Sequence, residues 1–484
     1  MSDPPAPRRP PYWTLPALVG LLIAPPWVLA LAVAAAAGLV GFRTGRAVHR
    51  WLRRRAPVPA PQTETLIGSD VRGRPARLSD HELSAHGLIL GASGAGKSTT
   101  LLTILTDQIR RGRSAVAIDL KGSPAFAHEL RTAAEAAGRP FRIWTLDGPT
   151  LWNPLAHGNA TELKDKLICT ERFSEPHYQR AAERYVQMAI GVLHTAHPSR
   201  SATLDEVVEV MEPRRLAKLA RNLPLESAER VHDYLATLTA DQLSAVRGLG
   251  TRLAIVTESH TGRFLSPGRA DAPDELDEID LRRSLEGDEV VVFSLNSSTY
   301  GRLAAQVVTL VVQDLTTSAG HRLASNRPLP PAIVGIDEFS ALGADNVLGL
   351  LARGREAGLP ILLATQEMAD LDRAARGLRD QVLGIVGLKV IHRQEVPASA
   401  QTIAQLAGTV RVWEETRRFG GPVFGGLQSA GGTRRQVERY RVHPNEIKQL
   451  PTGRAIVLSN LPRSTVRKVD VRPPRHERRG HELG

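Results

Sequence analysis

The sequence predicts an α/β fold: a parallel-rich sheet with helices on both faces, interrupted by an all-α insert and preceded by an apolar, membrane-spanning segment. Three observations predict it. Gly91-Ala92-Ser93-Gly94-Ala95-Gly96-Lys97-Ser98 fits G-x-x-x-x-G-K-[ST] at every fixed position, with an apolar run, Gly87–Leu90, directly before it. Strand-like runs recur at Leu88–Leu90, Ala115–Ile118, Arg142–Thr145, Val290–Leu295, Ile333–Ile336, Ile361–Ala364, Val386–Ile391 and Ala455–Leu458, several of them separated by helical patterns. Between residues 161 and 258 strand signals fade and helical periodicity dominates, best at Glu175–Thr195, Thr203–Met211, Ser227–Leu238 and Asp241–Thr257.

In chain order, Pro4-Pro5-Ala6-Pro7 and Pro10-Pro11 make residues 1–14 a disordered lead. Residues 15–42 carry no charge, while Arg43, Arg46, Arg50, Arg53, Arg54 and Arg55 follow at once and only Arg8 and Arg9 precede. The positive-inside rule then puts the rest of the chain in the cytoplasm, beneath the inner or plasma membrane and in contact with its lipid. A cleaved signal peptide would not be followed by six arginines. Pro25-Pro26 splits the stretch, so one kinked span fits better than two spans, each of which needs about 17 residues or more. A buried helix of a soluble domain is the alternative. Residues 43–63, with Ala56-Pro57-Val58-Pro59-Ala60-Pro61, read as a basic, stiff linker. The α/β domain is expected over 64–160 and 259–462, the all-α insert over 161–258, and a basic flexible tail over 463–484.

The formal charge of +12, from 62 basic and 50 acidic residues, invites a polyanionic partner. Only 8 of the basic residues are lysine, and a GC-rich genome alone would raise arginine, so charge carries modest weight. Cys169 is the single cysteine, which excludes an internal disulfide. The histidines show no metal-ligand spacing and no Gly-x-Ser-x-Gly elbow occurs, which argues against zinc and serine-hydrolase chemistry.

The glycine-rich loop explains the chemistry. Backbone N–H groups from Gly91 to Thr99 can cradle phosphates, Lys97 can reach the β- and γ-phosphates of ATP, and Ser98 can hold Mg²⁺. Hydrolysis further needs an aspartate for Mg²⁺ and a base for the attacking water. Ile333-Val334-Gly335-Ile336-Asp337-Glu338 supplies both, Asp337 for the metal and Glu338 for the base. Asp119 and Lys121, at the end of another run, are read as supporting residues, with direct catalysis the alternative. Gln366 closes the run Pro360–Thr365, where it can sense the γ-phosphate or orient the water; a plain helix cap is the other reading. Arg355, with Arg353 and Arg393 as competitors, can complete a neighbour's site as an arginine finger, although isolated arginines in such a chain are usually solvated.

The order of motifs resembles the type IV coupling proteins of conjugative DNA transfer. Gly91–Ser98 is followed by Ile118-Asp119-Leu120-Lys121-Gly122, Trp152-Asn153-Pro154-Leu155, an insert with Ala181-Ala182-Glu183-Arg184, and Ile336-Asp337-Glu338-Phe339. Gly354-Arg355-Glu356-Ala357-Gly358, Ala364-Thr365-Gln366 and Val442-His443-Pro444-Asn445-Glu446-Ile447 complete the series, over about residues 64 to 460. The resemblance implies a RecA-like motor that forms a homo-hexameric ring and uses ATP to pump single-stranded DNA, with its bound relaxase, toward a type IV secretion channel. It implies that the insert faces the relaxosome, and that residues 330–460 correspond to a region named for recognising a relaxosome accessory protein. The family commonly has two membrane helices where this chain has room for one. A double-stranded DNA translocase of the FtsK/HerA kind, and a secretion ATPase that moves protein, remain as rival readings.

Overall fold

Runs that are apolar at every position, rather than at alternate ones, form the centre of the sheet, because both of its faces are covered. The computed structural model describes residues 63–474, apart from 172, 174, 269–275, 326, 343 and 418–431. The expected lead and apolar span, the linker up to residue 62, and the chain from 475 onward lie outside the described residues. Among the described residues no helix is long and apolar enough to cross a membrane.

The strands are β1 (Glu64–Asp70), β2 (Pro75–Ser79), β3 (Gly87–Leu90), β4 (Ser114–Asp119), β5 (Phe141–Thr145), β6 (Leu151–Trp152), β7 (Glu278–Ile279), β8 (Val290–Ser294), β9 (Ala332–Asp337), β10 (Ile361–Thr365), β11 (Leu388–Ile391), β12 (Thr409–Arg417), β13 (Gly432–Tyr440), β14 (Arg454–Ser459) and β15 (Thr465–Val471). Eleven of them make one sheet in the order β2-β1-β15-β14-β11-β3-β10-β9-β4-β8-β5. Every pairing from β11 to β5 is parallel. Every pairing from β11 out to β2 is antiparallel. Each apolar run read from the sequence lies in this sheet.

Alternation along the strands splits the core in two. Ala115, Ala117, Val292, Ile333 and Leu362 point to one face, where α1 (Lys97–Arg110) and α2 (Pro124–Ala136) contribute Leu101, Ile104, Phe126 and Leu130. Val116, Ile118, Phe293, Val334, Ile336 and Leu363 point to the other, against α3 (Ser297–Ala324) and α4 (Ala344–Glu356).

Between the short strands β6 and β7 the described residues are helical or without regular structure. Helices run over Ala160–Ile168, Pro176–Ala196, Leu204–Val210, Pro213–Ala220, Leu225–Ala236 and Ala240–Thr257. Asn159, Thr203 and Thr239 start three of them with capping boxes closed by Glu162, Glu206 and Gln242, so local sequence sets those boundaries. These helices share the second core rather than forming one of their own: Tyr185, Ile190 and Leu253 join the cluster that holds Phe293 and Ile336. A buried polar node fastens the junction. Lys166, 1% exposed, donates to Asp314 Oδ1 at 2.9 Å and to the Pro154 carbonyl at 2.8 Å, while Trp152 Nε1 donates to Asp314 Oδ2 at 3.1 Å.

The tail needs a correction. The flexible segment expected from 463 is instead strand β15 over Thr465–Val471, paired with β14 on one side and β1 on the other. Arg467 and Lys468 disguised it, because a strand near a sheet edge is only half-covered on each face and tolerates charges that pair, here with Glu82 and Glu446. Val469 is buried and Arg454 Nε lies 2.6 Å from Asp470 Oδ1, which ties β15 to its neighbour. β1, β2 and the ribbon β12–β13 were not read from the sequence either. The ribbon is a separate two-stranded sheet in regular antiparallel register, with Arg434 stacked over the exposed Trp413 at 4.7 Å.

Candidate nucleotide site

Five parallel strands end along one edge, and each delivers one part of the site. β3 runs into the glycine loop, β9 ends at Asp337, β10 leads to Gln366, β4 ends at Asp119 and β11 leads to His392. This is the carboxyl edge of the sheet, where open α/β folds bind ligands.

The loop closes as its sequence requires. Gly96 holds φ at +117°, a region that L side chains avoid, and Lys97 begins α1 directly after it. A Cβ at Gly91 would stand 2.6 Å from the His392 Cβ, so no larger residue fits between strand and loop. Neighbouring segments brace the curl: Ala92 N–H donates to the Arg393 carbonyl at 2.8 Å, and Gly453 N–H donates to the Ala95 carbonyl at 3.0 Å.

Ser98 Oγ donates to Asp337 Oδ2 at 2.8 Å, although 239 residues separate them in sequence. A hydroxyl and a carboxylate oxygen side by side, at the foot of a phosphate loop, suit a hard cation such as Mg²⁺. Glu338 follows in left-handed backbone, φ +57° and ψ +40°, a conformation that costs a non-glycine residue about 1 kcal/mol. Its carboxylate faces Lys97, Lys121 and Gln366, the last donating from Nε2 to Oε1 at 3.1 Å.

Burial lowers the pKa of the Lys97 ammonium, and the Glu338 charge works against that shift. Burial acts on Lys121 in the same sense, but its hydrogen bond to Glu338 and the Asp337 charge outweigh it and hold the pKa above the ordinary lysine value. Asp119 is committed elsewhere. Its Oδ1 accepts from Lys121 N–H at 2.9 Å and its Oδ2 from Ser123 N–H at 2.6 Å, so it shapes a turn. Burial raises its pKa, and those two N–H groups pull it back.

Gln366 is not a helix cap, because the helix Met368–Ala374 is started by Glu367, whose N–H donates to Asp370 Oδ2 at 2.9 Å. Thr99 contributes a carbonyl that accepts from Thr103 Oγ1 at 2.8 Å, inside the first turns of α1. Arg353 and Arg355 lie in the last turn of α4, which runs from β9 back to the start of β10. They therefore sit at the opposite edge of the sheet from their own chain's loop, and the Arg355 charge acts on His86, just before β3. Arg393 sits beside the loop and pairs with Glu395 at 3.2 Å.

The sequence reading missed His392. Its Nδ1 lies 3.1 Å from the Arg454 carbonyl, which can only accept, so that nitrogen carries the proton. Nε2 is then an acceptor for the Thr100 hydroxyl at 2.8 Å, inside α1. The available signal was a polar residue closing an apolar strand, the same signal that picked out Gln366.

Burial pushes His392 down to about 4, and His86, whose Nε2 meets the Leu351 carbonyl at 2.9 Å, to about 4 as well. Both folded values lie below that of an unfolded histidine, so the unfolded chain binds more protons across this window. Their contribution to stability is complete above about pH 6.5 and is lost as pH falls toward 4. Between pH 7 and pH 5 the expected loss is about 2 kcal/mol per residue. Denaturant unfolding at the two pH values checks this. His392→Asn should flatten part of the slope, and an unchanged slope would contradict the assignment.

A phosphate loop, a paired serine and aspartate, and a glutamate beside them on a parallel sheet define a P-loop nucleotide-binding protein. Residues 331–452 match the family model described as the TraM recognition site of TraD and TraG. The bacterial conjugative coupling protein TrwB, in an unbound form, superposes with a TM-score of 0.61 at 16% identity, covering 88% of this chain and 92% of that one. TrwB in complex with ADP and Mg²⁺ gives a TM-score of 0.58 at 17% identity, covering 88% and 92%. VirB4 of Thermoanaerobacter pseudethanolicus gives 0.54 at 13% identity, covering 85% and 97%. No protein with a curated description matches the sequence. The fold is thus shared with a conjugative coupling protein, and the segment 331–452 is similar to the TraM recognition site of TraD and TraG.

Proposed function

We propose that this chain is a membrane-anchored, ATP-driven DNA translocase that moves single-stranded DNA, with its bound relaxase, toward a type IV secretion channel. The observation that carries the reading is the contact between Ser98 and Asp337 with Glu338 adjoining it, in a chain whose fold is that of a conjugative coupling protein. Lys97 binds the phosphates, and Ser98 and Asp337 hold Mg²⁺, which supplies charge neutralisation at the transferring phosphoryl group. Glu338 takes a proton from the water that attacks the γ-phosphorus, and ADP and phosphate leave. Gln366, hydrogen-bonded to Glu338, reports which nucleotide is present.

The DNA reading draws on charge as well as on likeness. A cavity of about 610 Å³ among the insert helices is lined by Lys164, Arg180, Arg184 and Arg230, beside Glu183, and offers cations to a phosphate backbone. The segment 331–452 adds a relaxosome partner to the reading, by the name of the family model it matches. The apolar run at 15–42, with arginines after it, supports anchoring in the cell membrane with the motor inside. In a ring of six, Arg355 would reach across to a neighbour's γ-phosphate, with Arg353 and Arg393 as the other candidates. Two rivals stand beside this reading: a secretion ATPase whose cargo is protein, and a double-stranded DNA translocase.

The test is ATP turnover by the purified chain with single-stranded DNA, with duplex DNA and without DNA, at two salt concentrations, alongside its mass in solution. Stimulation by single strands that weakens steeply with salt is expected, together with hexamers. Stimulation by duplex alone turns the reading to the double-stranded rival, and none by either DNA turns it to the secretion ATPase. A chain that stays monomeric with ATP and DNA removes both the ring and the trans arginine.

A further inference from the structure

The nearest cation to the glutamate is not the lysine of the loop. Glu338 Oε1 lies 2.8 Å from Lys121 Nζ and 3.9 Å from Lys97 Nζ, and Lys121 Nζ also stands 3.6 Å from Asp337 Oδ2. That aim is built into the fold. The turn after β4 is closed by the Asp119 carboxylate, which accepts from Lys121 and Ser123 N–H. Two further bonds hold it: Leu295 N–H donates to the Asp119 carbonyl at 2.9 Å, and Ser297 N–H donates to the Leu120 carbonyl at 2.8 Å. On the other side, the left-handed backbone at Glu338 and the Gln366 amide hold the carboxylate that Lys121 meets.

We propose that Lys121 is a positioning residue for Glu338: it holds the carboxylate beside Asp337, which leaves Lys97 free to turn to the phosphates. The inference rests on reading Glu338 as the base of an ATPase. Among the described contacts Lys121 is bonded to neither the loop nor Ser98: its partners are the two carboxylates, and on Lys97 it acts only by charge repulsion. A plain surface ion pair is the competing account, because the Lys121 side chain is 43% exposed and such pairs contribute little to stability. The two accounts differ in what turnover does, not in what stability does.

Steady-state ATP hydrolysis and nucleotide affinity, measured on the purified full-length chain, separate them. Lys121→Met keeps the stem and removes the charge. It should lower kcat about tenfold or more and leave the Kd for ADP within about twofold. Lys121→Arg should retain most of the turnover. Adding Lys121→Met to Glu338→Gln should cost nothing further in single-turnover rate, since the residue it positions is already disabled. Full kcat in Lys121→Met would overturn the proposal, as would equal damage by the arginine variant or losses that multiply in the double variant. A large rise in Kd would make Lys121 a phosphate ligand instead, which also overturns it. If the unaltered chain hydrolyses ATP and Lys121→Met matches it, the positioning role alone falls. If the unaltered chain does not hydrolyse ATP, the reading of Glu338 falls first.

Discussion

Lys97→Ala is expected to weaken nucleotide binding about 100-fold, close to 3 kcal/mol, and to abolish measurable turnover. The side chain is 4% exposed at the first position of α1, where its ammonium is the one buried cation placed at the loop by the motif itself. A charge-assisted contact with phosphate in a half-desolvated site is worth more than a surface pair. The fold should survive the change, because Glu338 keeps Lys121 at 2.8 Å and Gln366 at 3.1 Å when Lys97 is gone. Calorimetric titration with ADP and Mg²⁺ checks affinity, and a melting temperature within a few degrees of the unaltered chain checks the fold. Unchanged affinity would remove the loop from the site.

Glu338→Gln is expected to lower kcat about 10²- to 10⁴-fold while nucleotide still binds. Glutamine preserves the shape and tolerates the same backbone, so the left-handed turn at φ +57° is not disturbed further. What disappears is the proton acceptor and one negative charge facing Lys97 at 3.9 Å. Lys97 then has less reason to stay with residue 338, so affinity should be equal or slightly tighter. That combination, retained binding with lost turnover, is the signature of a base. DNA-stimulated hydrolysis at the normal rate in this variant would sink the assignment, and a matching loss of binding would make Glu338 a structural residue instead.

The parts of this molecule that could be read in advance are those where local sequence suffices. Parallel strands announce themselves as continuous Val, Ile, Leu and Ala, and a glycine loop after one of them has few alternatives. Asp337 and Glu338 ended such a run with two acids, and Gln366 ended another with an amide. Helical periodicity put two helix starts in the insert at Thr203 and Asp241, each one residue from the observed Leu204 and Ala240. The antiparallel wing hid for the opposite reason. β15 carries Arg467 and Lys468 on opposite faces, each half-exposed and paired with an acid, so its composition is that of a loop. β12 and β13 expose both faces and bury little, which leaves no apolar period to detect. His392 and the Lys121–Glu338 contact are tertiary facts: each joins segments far apart in the chain, and spacing says nothing about which edge they meet on. Arg355 shows the same limit. Its neighbourhood in sequence matched a motif, and only the path of α4 places it at the far edge of the sheet from its own loop.

The long helix α3 has a mechanical meaning. It begins where Ser297 is bonded to the turn that carries Lys121, and midway along it Asp314 grips Trp152 and Lys166 at the root of the insert helices. After one non-helical residue at Tyr300 it continues to Ala324, 24 residues or about 36 Å of rod. A tilt of about 5° at the nucleotide edge would sweep its far end by about 3 Å, an ordinary size for helix shifts in switching proteins. Beyond Tyr300 the rod packs in the one apolar core that sheet and insert share, and the kink at Tyr300 is the joint between it and the nucleotide edge. The shape is that of a crankshaft, with its elbow at Tyr300 and the buried Lys166–Asp314 pair as its bearing.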